Sequence, residues 1–169
     1  ITMTSDINNI NTYFYENDFS LHLGDCLSIL KNIPDNTFDV IFADPPYFLS
    51  GGGITCSSGK MVSVNKASWD TQMHIHEIHK FNIEWLQECQ RVLKNDGTIW
   101  ISGTFHNIYS VGLALQELGY RILNNITWCK SNPPPNLSCR YFTHSTETIL
   151  WASKNKKSKH YFNYAYMKQ

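Results

Sequence analysis

No run of apolar residues approaches the roughly 18 that a membrane-crossing helix needs, and residues 1–11 lack the basic-then-apolar layout of a secretion signal. The expectation is a soluble, cytoplasmic chain with no membrane partner. Cysteines are few and badly placed for cross-linking. Cys26, Cys56, Cys89, Cys129 and Cys139 are odd in number and widely spaced, with no C-x-x-C pair, so neither a disulfide framework nor a zinc knuckle is indicated. Net charge is also missing, because 14 basic residues balance 14 acidic ones. Disorder is excluded by what is present: nine Phe, nine Tyr and five Trp, within 42% apolar residues, are too many buriable groups for an unfolded polymer. At 169 residues, the length fits one domain with a real core.

The balanced charge conceals an asymmetry. Residues 1–90 carry four Lys against eleven Asp or Glu, whereas residues 91–169 carry ten Lys or Arg against three acidic residues. Such a split marks a candidate polyanion-binding half, and the run Lys154, Lys156, Lys157, Lys159 is either part of it or a solvated tail. The segment His74-Ile-His-Glu-Ile-His79 nearly matches the H-x-H-x-D-H run of metallohydrolases, but Ile78 stands where the Asp belongs. Further ligands and supporting carboxylates are not found downstream, so the segment is read as the polar entry to an amphipathic helix and no metal is expected. Gly59-Lys60 is not a P-loop, with Ile54 in place of its first glycine and Met61 in place of Ser or Thr. No cysteine follows a proline, which excludes the Pro-Cys thiolate of cytosine-C5 methylation.

Strands and helices alternate along the chain. Residues 20–23 read as a short strand. Asp25 is a candidate N-cap for a helix through Leu27, Leu30 and Ile33, stopped at Pro34-Asp35-Asn36. Residues 38–43 form an apolar run that breaks at Asp44-Pro45-Pro46, as a buried strand opening into a loop would. Residues 50–68, rich in Gly and Ser, lack periodicity and read as a mobile excursion. The 3.6-residue period of Ile78, Phe81, Trp85, Leu86, Cys89, Val92 and Leu93 predicts a long helix stopped at Asn95-Asp96-Gly97. A strand at 98–102, a helix ended by Gly119, and strands at 122–128 and 147–152 follow. This order argues for an open α/β sheet with ligands at the carboxyl ends of its strands.

Asp44-Pro45-Pro46-Tyr47, at such a strand end, carries the clearest chemistry. By itself it is also a plain strand-to-loop turn with a capping Asp. An exocyclic amine on a nucleobase is a poor nucleophile because its lone pair is delocalised into the ring. A carboxylate and a backbone carbonyl can restore its pyramidal form, each accepting one N–H at about 2.7–3.2 Å. Asp44 and the Pro45 carbonyl are the candidate acceptors. The carboxylate also stabilises the cation that develops on alkylation. Pro46 has no N–H, so this loop cannot be drawn into a helix ladder. Tyr47 offers a ring on which an extruded base can stack, and on that reading Tyr47→Phe should be nearly silent.

With these residues the chain resembles the amino-methyltransferases of DNA that carry a D/N/S-P-P-Y/F/W motif, specifically the β-class N6-adenine enzymes. The resemblance covers about residues 20–169. It rests on His22-Leu-Gly-Asp-Cys26 before a helix, Phe42 to Ser50 around the motif, and Ser68-Trp-Asp70. It continues through the helix ending at Arg91 to Lys94, the strand Gly97 to Gly103, and the segment Asn125 to Pro133. The stretch Asn136 to Trp151 is very similar to DpnII-type restriction-system methylases that modify GATC.

The resemblance implies a Rossmann-like S-adenosylmethionine-dependent methyltransferase fold, an open, mostly parallel sheet with helices on both faces. It implies a catalytic domain over 1–152 and the start of a basic DNA-recognition region over 153–169. The family's glycine-rich donor loop, Phe-x-Gly-x-Gly, is not found in the sequence, so the chain is expected to lack the C-terminal part of that fold and to bind donor weakly. The implied catalytic residues are Asp44, Pro45, Pro46 and Tyr47. Asp25, Cys26, Asp44 and Pro45 are implied for S-adenosylmethionine, and Arg140, Lys154, Lys156 and Lys157 for DNA. The implied activity is methylation of adenine N6 in a specific DNA sequence, GATC, within a restriction system, with homodimerisation carried as a further expectation. N4-cytosine methylation, where Ser usually replaces Asp44, and a non-catalytic nucleic-acid module are the alternatives.

Overall fold

A computed structural model of the chain describes residues 12–49, 54–57, 60–63, 73–136 and 138–168. In chain order the elements are β1 (Thr12–Glu16), β2 (Phe19–His22), α1 (Cys26–Lys31), β3 (Phe38–Ala43), β4 (Ile54–Ser57) and β5 (Lys60–Ser63). They continue with α2 (Ile75–Val92), β6 (Leu93–Gly103), α3 (Ile108–Glu117), β7 (Arg121–Cys129), β8 (Thr146–Ser153) and α4 (Tyr164–Met167).

The central sheet has the order β3-β6-β8-β7. β6 runs parallel to β3, and β8 lies antiparallel between β6 and β7. Two reversals cancel, so β3, β6 and β7 point the same way. The expected mostly parallel sheet is therefore present in strand direction, with β8 as its one reversed member among the described residues. Period-two alternation divides the sheet into two faces. Ile99 and Ile101 of β6 and Leu150 and Ala152 of β8 join Trp85 and Leu86 of α2 and Val111 and Leu115 of α3 in one buried cluster. α1 adds Leu27 and Leu30 to the same cluster, and β3 adds Ile41 and Ala43. The described residues thus supply helices to one face of the two expected. On the other face Val40 and Phe42 are exposed, and Trp100 stacks on Trp151 with ring centroids 4.8 Å apart.

α2 and α3 are locked by a polar network as well as by apolar packing. Fully buried Asn82 donates to Ser110 Oγ and accepts from Trp85 Nε1, each at 3.0 Å. His79 meets Ser110 Oγ and Glu117 Oε2, and His74 is the N-cap of α2, its N–H donating to Glu77. His74 and His79 are thus spent on entering and bracing a helix. Gly119, with φ of +79°, ends α3 in the left-handed conformation that a side chain would disfavour.

Several boundaries differ from those read in the sequence. The stretch 50–68 is not wholly a loop, since β4 and β5 pair antiparallel from Ile54↔Ser63 to Ser57↔Lys60; its other residues, and Ser68 to Asp70, lie outside the described residues. α1 stops at Lys31, before Ile33, where Asn32 turns its amide back onto Ser28 O. The long helix stops at Val92 rather than at Asn95. Leu93 is extended and fully buried, and it starts a strand that Asn95-Asp96-Gly97 continues. The reason is tertiary. Ser158 Oγ donates to Asn95 O, Lys159 N–H to Asp96 Oδ1, and Lys154 N–H to Gly97 O, which gives this potential turn a strand-like set of partners. Among the described residues no helix is long and apolar enough to cross a membrane.

Candidate active site

β3 ends at Ala43, and its neighbour Ile101 on β6 sets the level at which the chain leaves the sheet. Asp44 is the next residue, and its Oδ1 accepts two hydroxyls: Ser102 Oγ at 2.6 Å and the Tyr47 phenol at 2.8 Å. Among the described residues nothing donates to Oδ2. The two proline carbonyls are treated differently. Pro46 O accepts Asn107 Nδ2 at 3.0 Å, whereas no hydrogen bond among the described residues reaches Pro45 O. Phe48 then takes a φ of +57°, unusual for a bulky side chain, and buries its ring edge-on against Phe81 of α2 at 5.8 Å. The Asp44–Phe48 loop is thereby held at its carboxylate, its backbone and its far end, by three separate elements.

Burial pushes the Tyr47 phenol up to about 12, and its bond to Asp44 acts in the same direction. Tyr47 therefore keeps its proton and remains a donor at any physiological pH. The expectation that Tyr47 offers only its ring has to be corrected, because its hydroxyl touches the carboxylate directly. Beside this loop, Phe105 stacks with His144 at 4.4 Å and Tyr141 lies 5.5 Å from His144, so the turn after β6 and the β7–β8 loop share a band of rings. Burial pushes the His106 imidazole below its ordinary value, and nearby His144 pushes it the same way.

The other residues singled out in the sequence fall in three places. Asp25 caps α1, its Oδ2 accepting Ser28 N–H at 2.8 Å, a bond that holds its carboxyl below the usual range. Cys26 is the first residue of that helix and is exposed, with burial of its thiol raising the pKa. Arg140 is exposed in the loop between β7 and β8, which leaves the sheet at the same end as Asp44, since Cys129↔Thr146 lies beyond Thr127↔Thr148 and Gly103↔Thr148. The lysine run lies elsewhere. β8 is reversed, so Ser153 pairs with Thr98 at the end of the β6–β8 ladder away from Gly103, and Lys154, Lys156 and Lys157 lie beyond it, on the side opposite Asp44. The resemblance grouped them with Arg140 for DNA, but they do not share its end of the sheet. Lys154 Nζ is also committed, donating to Asn36 Oδ1 at 2.8 Å and to Leu93 O at 2.6 Å. Among the described residues no group of three His, Cys, Asp or Glu is placed to hold a metal ion.

Two contributors were not picked out from the sequence. Ser102 had a signal: with Ile99 and Ile101 facing the core, alternation turns Ser102 the other way, at a strand's carboxyl end. Asn107 had a misleading one. It precedes α3 as an N-cap residue would, yet it makes no side-chain cap bond and gives its amide to Pro46 O instead.

Comparison with known proteins agrees with this architecture. The family model for N6/N4 enzymes described as "DNA methylase" matches residues 38–169. Type II methyltransferase M2.DpnII of Streptococcus pneumoniae is 56% identical over 158 residues, covering 93% of this chain and 59% of that protein. M2.MboI of Moraxella bovis is 51% identical over 162 residues, covering 95% and 59%. The chain thus spans about three-fifths of the length of these curated relatives. Among solved structures, the cytosine-N4-specific PvuII DNA methyltransferase superposes with a TM-score of 0.67 at 16% identity, over 89% of this chain and 54% of that one. M1.HpyAVI in complex with SAM gives 0.52 at 23%, over 83% and 55%. These likenesses establish the fold as that of S-adenosylmethionine-dependent DNA methyltransferases, and with the family match over residues 38–169 the chain belongs to the N6/N4 DNA methylase family.

Proposed function

We propose that the protein containing this chain methylates N6 of adenine in DNA, at GATC sites of a restriction system. The observation that carries the reading is Asp44 at the carboxyl end of β3, one oxygen held by Ser102 and Tyr47 and the adjacent Pro45 carbonyl left as a second acceptor. An adenine turned out of the helix would rest on the Tyr47 ring, give one N6–H to Asp44 and the other to Pro45 O. Drawing on both hydrogens localises the N6 lone pair. When bound, S-adenosylmethionine would supply a sulfonium methyl, the C–S bond electrons leaving on sulfur as the C–N bond forms. Asp44 stabilises the positive charge on N6 until one N–H proton is passed to solvent, restoring a neutral amine. A cationic donor fits this end of the sheet, where the acceptors are anionic or carbonyl. Asp25 and Cys26 would hold its adenosine, with the Asp25 carboxylate already engaged in capping α1.

Asp44 also separates adenine from cytosine chemistry, since N4-cytosine enzymes usually place Ser at this position. Arg140, at the Asp44 end, is the DNA contact favoured by placement. The test is Asp44→Ala in the complete polypeptide, assayed for methyl transfer to GATC duplexes. Turnover should fall on the order of 10²–10³-fold, the scale for a preorganised electrostatic group, without loss of folding. Turnover within tenfold of wild type would sink the assignment.

A further inference from the structure

Ser102 has one proton and three nearby acceptors, Asp44 Oδ1, Ala43 O and the Tyr47 phenol oxygen, and its contact with the carboxylate is the shortest. Its Oγ lies 2.6 Å from Asp44 Oδ1 and 3.4 Å from Ala43 O. The shorter distance is that of a hydroxyl bonded to an ionised carboxylate, and the longer one is at the edge of hydrogen bonding, so the proton goes to Asp44. The side chain is also confined. Ser102 is 5% exposed and lies near the end of an eleven-residue strand paired on both sides, with Ala43 near it on β3 and Ile149 opposite on β8. A hydroxyl on rigid backbone, unlike one on a loop, fixes the rotation of the carboxylate it grips.

We infer that Ser102 is a positioning residue for the reaction, turning Asp44 so that Oδ1 is taken by protein hydroxyls and Oδ2 is the oxygen presented to the amine. The inference rests on the proposed function and deepens it. Tyr47 contributes the second hydroxyl to the same oxygen from the loop itself, whereas Ser102 grips it from the strand. Without the Ser102 grip the carboxylate gains a torsional freedom, and the reacting geometry is sampled less often, a cost that falls on the chemical step more than on binding.

The test compares Ser102→Ala, Ser102→Thr and wild type in the complete polypeptide, measuring single-turnover methyl transfer, DNA affinity and thermal midpoint. Ser102→Ala should slow transfer about 10- to 100-fold, the worth of one hydrogen bond to a charged group, with DNA affinity within threefold. Ser102→Thr, which keeps the hydroxyl, should recover most of the rate. In an Asp44→Ala background, Ser102→Ala should add no further loss. The inference is overturned if Ser102→Ala transfers within threefold of wild type, if its slowing persists undiminished in the Asp44→Ala background, or if weaker DNA binding accounts for the effect. Methylation of cytosine N4 instead of adenine would overturn the proposed substrate but leave this comparison intact, because the split is read on whichever amine reacts. A wild-type protein that transfers no methyl group overturns both.

Discussion

Tyr47 shows how one side chain carries two separable contributions. Its ring is available for stacking, worth roughly 1–3 kcal/mol per base, and its hydroxyl donates to Asp44 at 2.8 Å. Tyr47→Ala removes both, whereas Tyr47→Phe removes only the hydroxyl. Steady-state rates should therefore rank wild type above Phe above Ala, with Phe slower than wild type by about tenfold for a lost hydrogen bond to a carboxylate. A Phe variant as fast as wild type would leave the ring as the only working part. The residue type was legible in the sequence, but the hydroxyl's role was not. A tetrapeptide motif names which side chains are adjacent, while the bend that folds Tyr47 back onto Asp44 depends on Phe48 at +57° and its seat against Phe81.

At the level of elements, the turn after β6 is built around what Gly103 lacks. A Cβ there would stand 2.7 Å from Asn107 Oδ1 and 3.0 Å from Ile108 Cδ1, and Asn107 is fully buried with its amide on Pro46 O. Gly103→Ala must push Asn107 aside, loosening the loop that carries Asp44. Chemical denaturation should report a loss of roughly 1–3 kcal/mol, the scale for forcing a methyl into packed space, and methyl transfer should fall with it. Unchanged stability would mean that the turn relaxes without cost. Elements of this kind were read well where the pattern was strong: the 3.6-residue period of α2 and Gly119 at the end of α3 stand where the sequence put them, and β3 is in place, though it is not the buried strand its apolar run suggested, since Val40 and Phe42 lie exposed. Reading failed where distant segments override local preference. Asn95-Asp96-Gly97 has the composition of a stop but becomes strand because residues 154–159 bind its backbone and the Asp96 carboxylate, and residues 54–57 and 60–63 pair as antiparallel strands that no periodicity announced.

Across the whole molecule, the reversed β8 decides which charges share an end with Asp44. Arg140 is carried to that end and the lysine run to the other, where Lys154 ties β8 to Asn36 and Leu93. Arg140→Gln should reduce the slope of log affinity against log salt by about one, as expected for one lost phosphate contact, while Lys156→Gln/Lys157→Gln should leave it nearly unchanged. Equal slopes for all three proteins would remove Arg140 from the interface, and a shallower slope for the lysine pair alone would put DNA across the far end. The same reversal has a temporal side. Trp100 and Trp151 stack across the β6–β8 ladder, and between them the chain must complete α3, all of β7 and the long loop before β8 can insert. Closing a loop of about fifty residues is slow relative to forming a helix, so β8 is expected to insert after α3 has formed. The indole pair, brought face to face only by that closure, would serve as an intrinsic clock for the moment at which β8 enters the sheet.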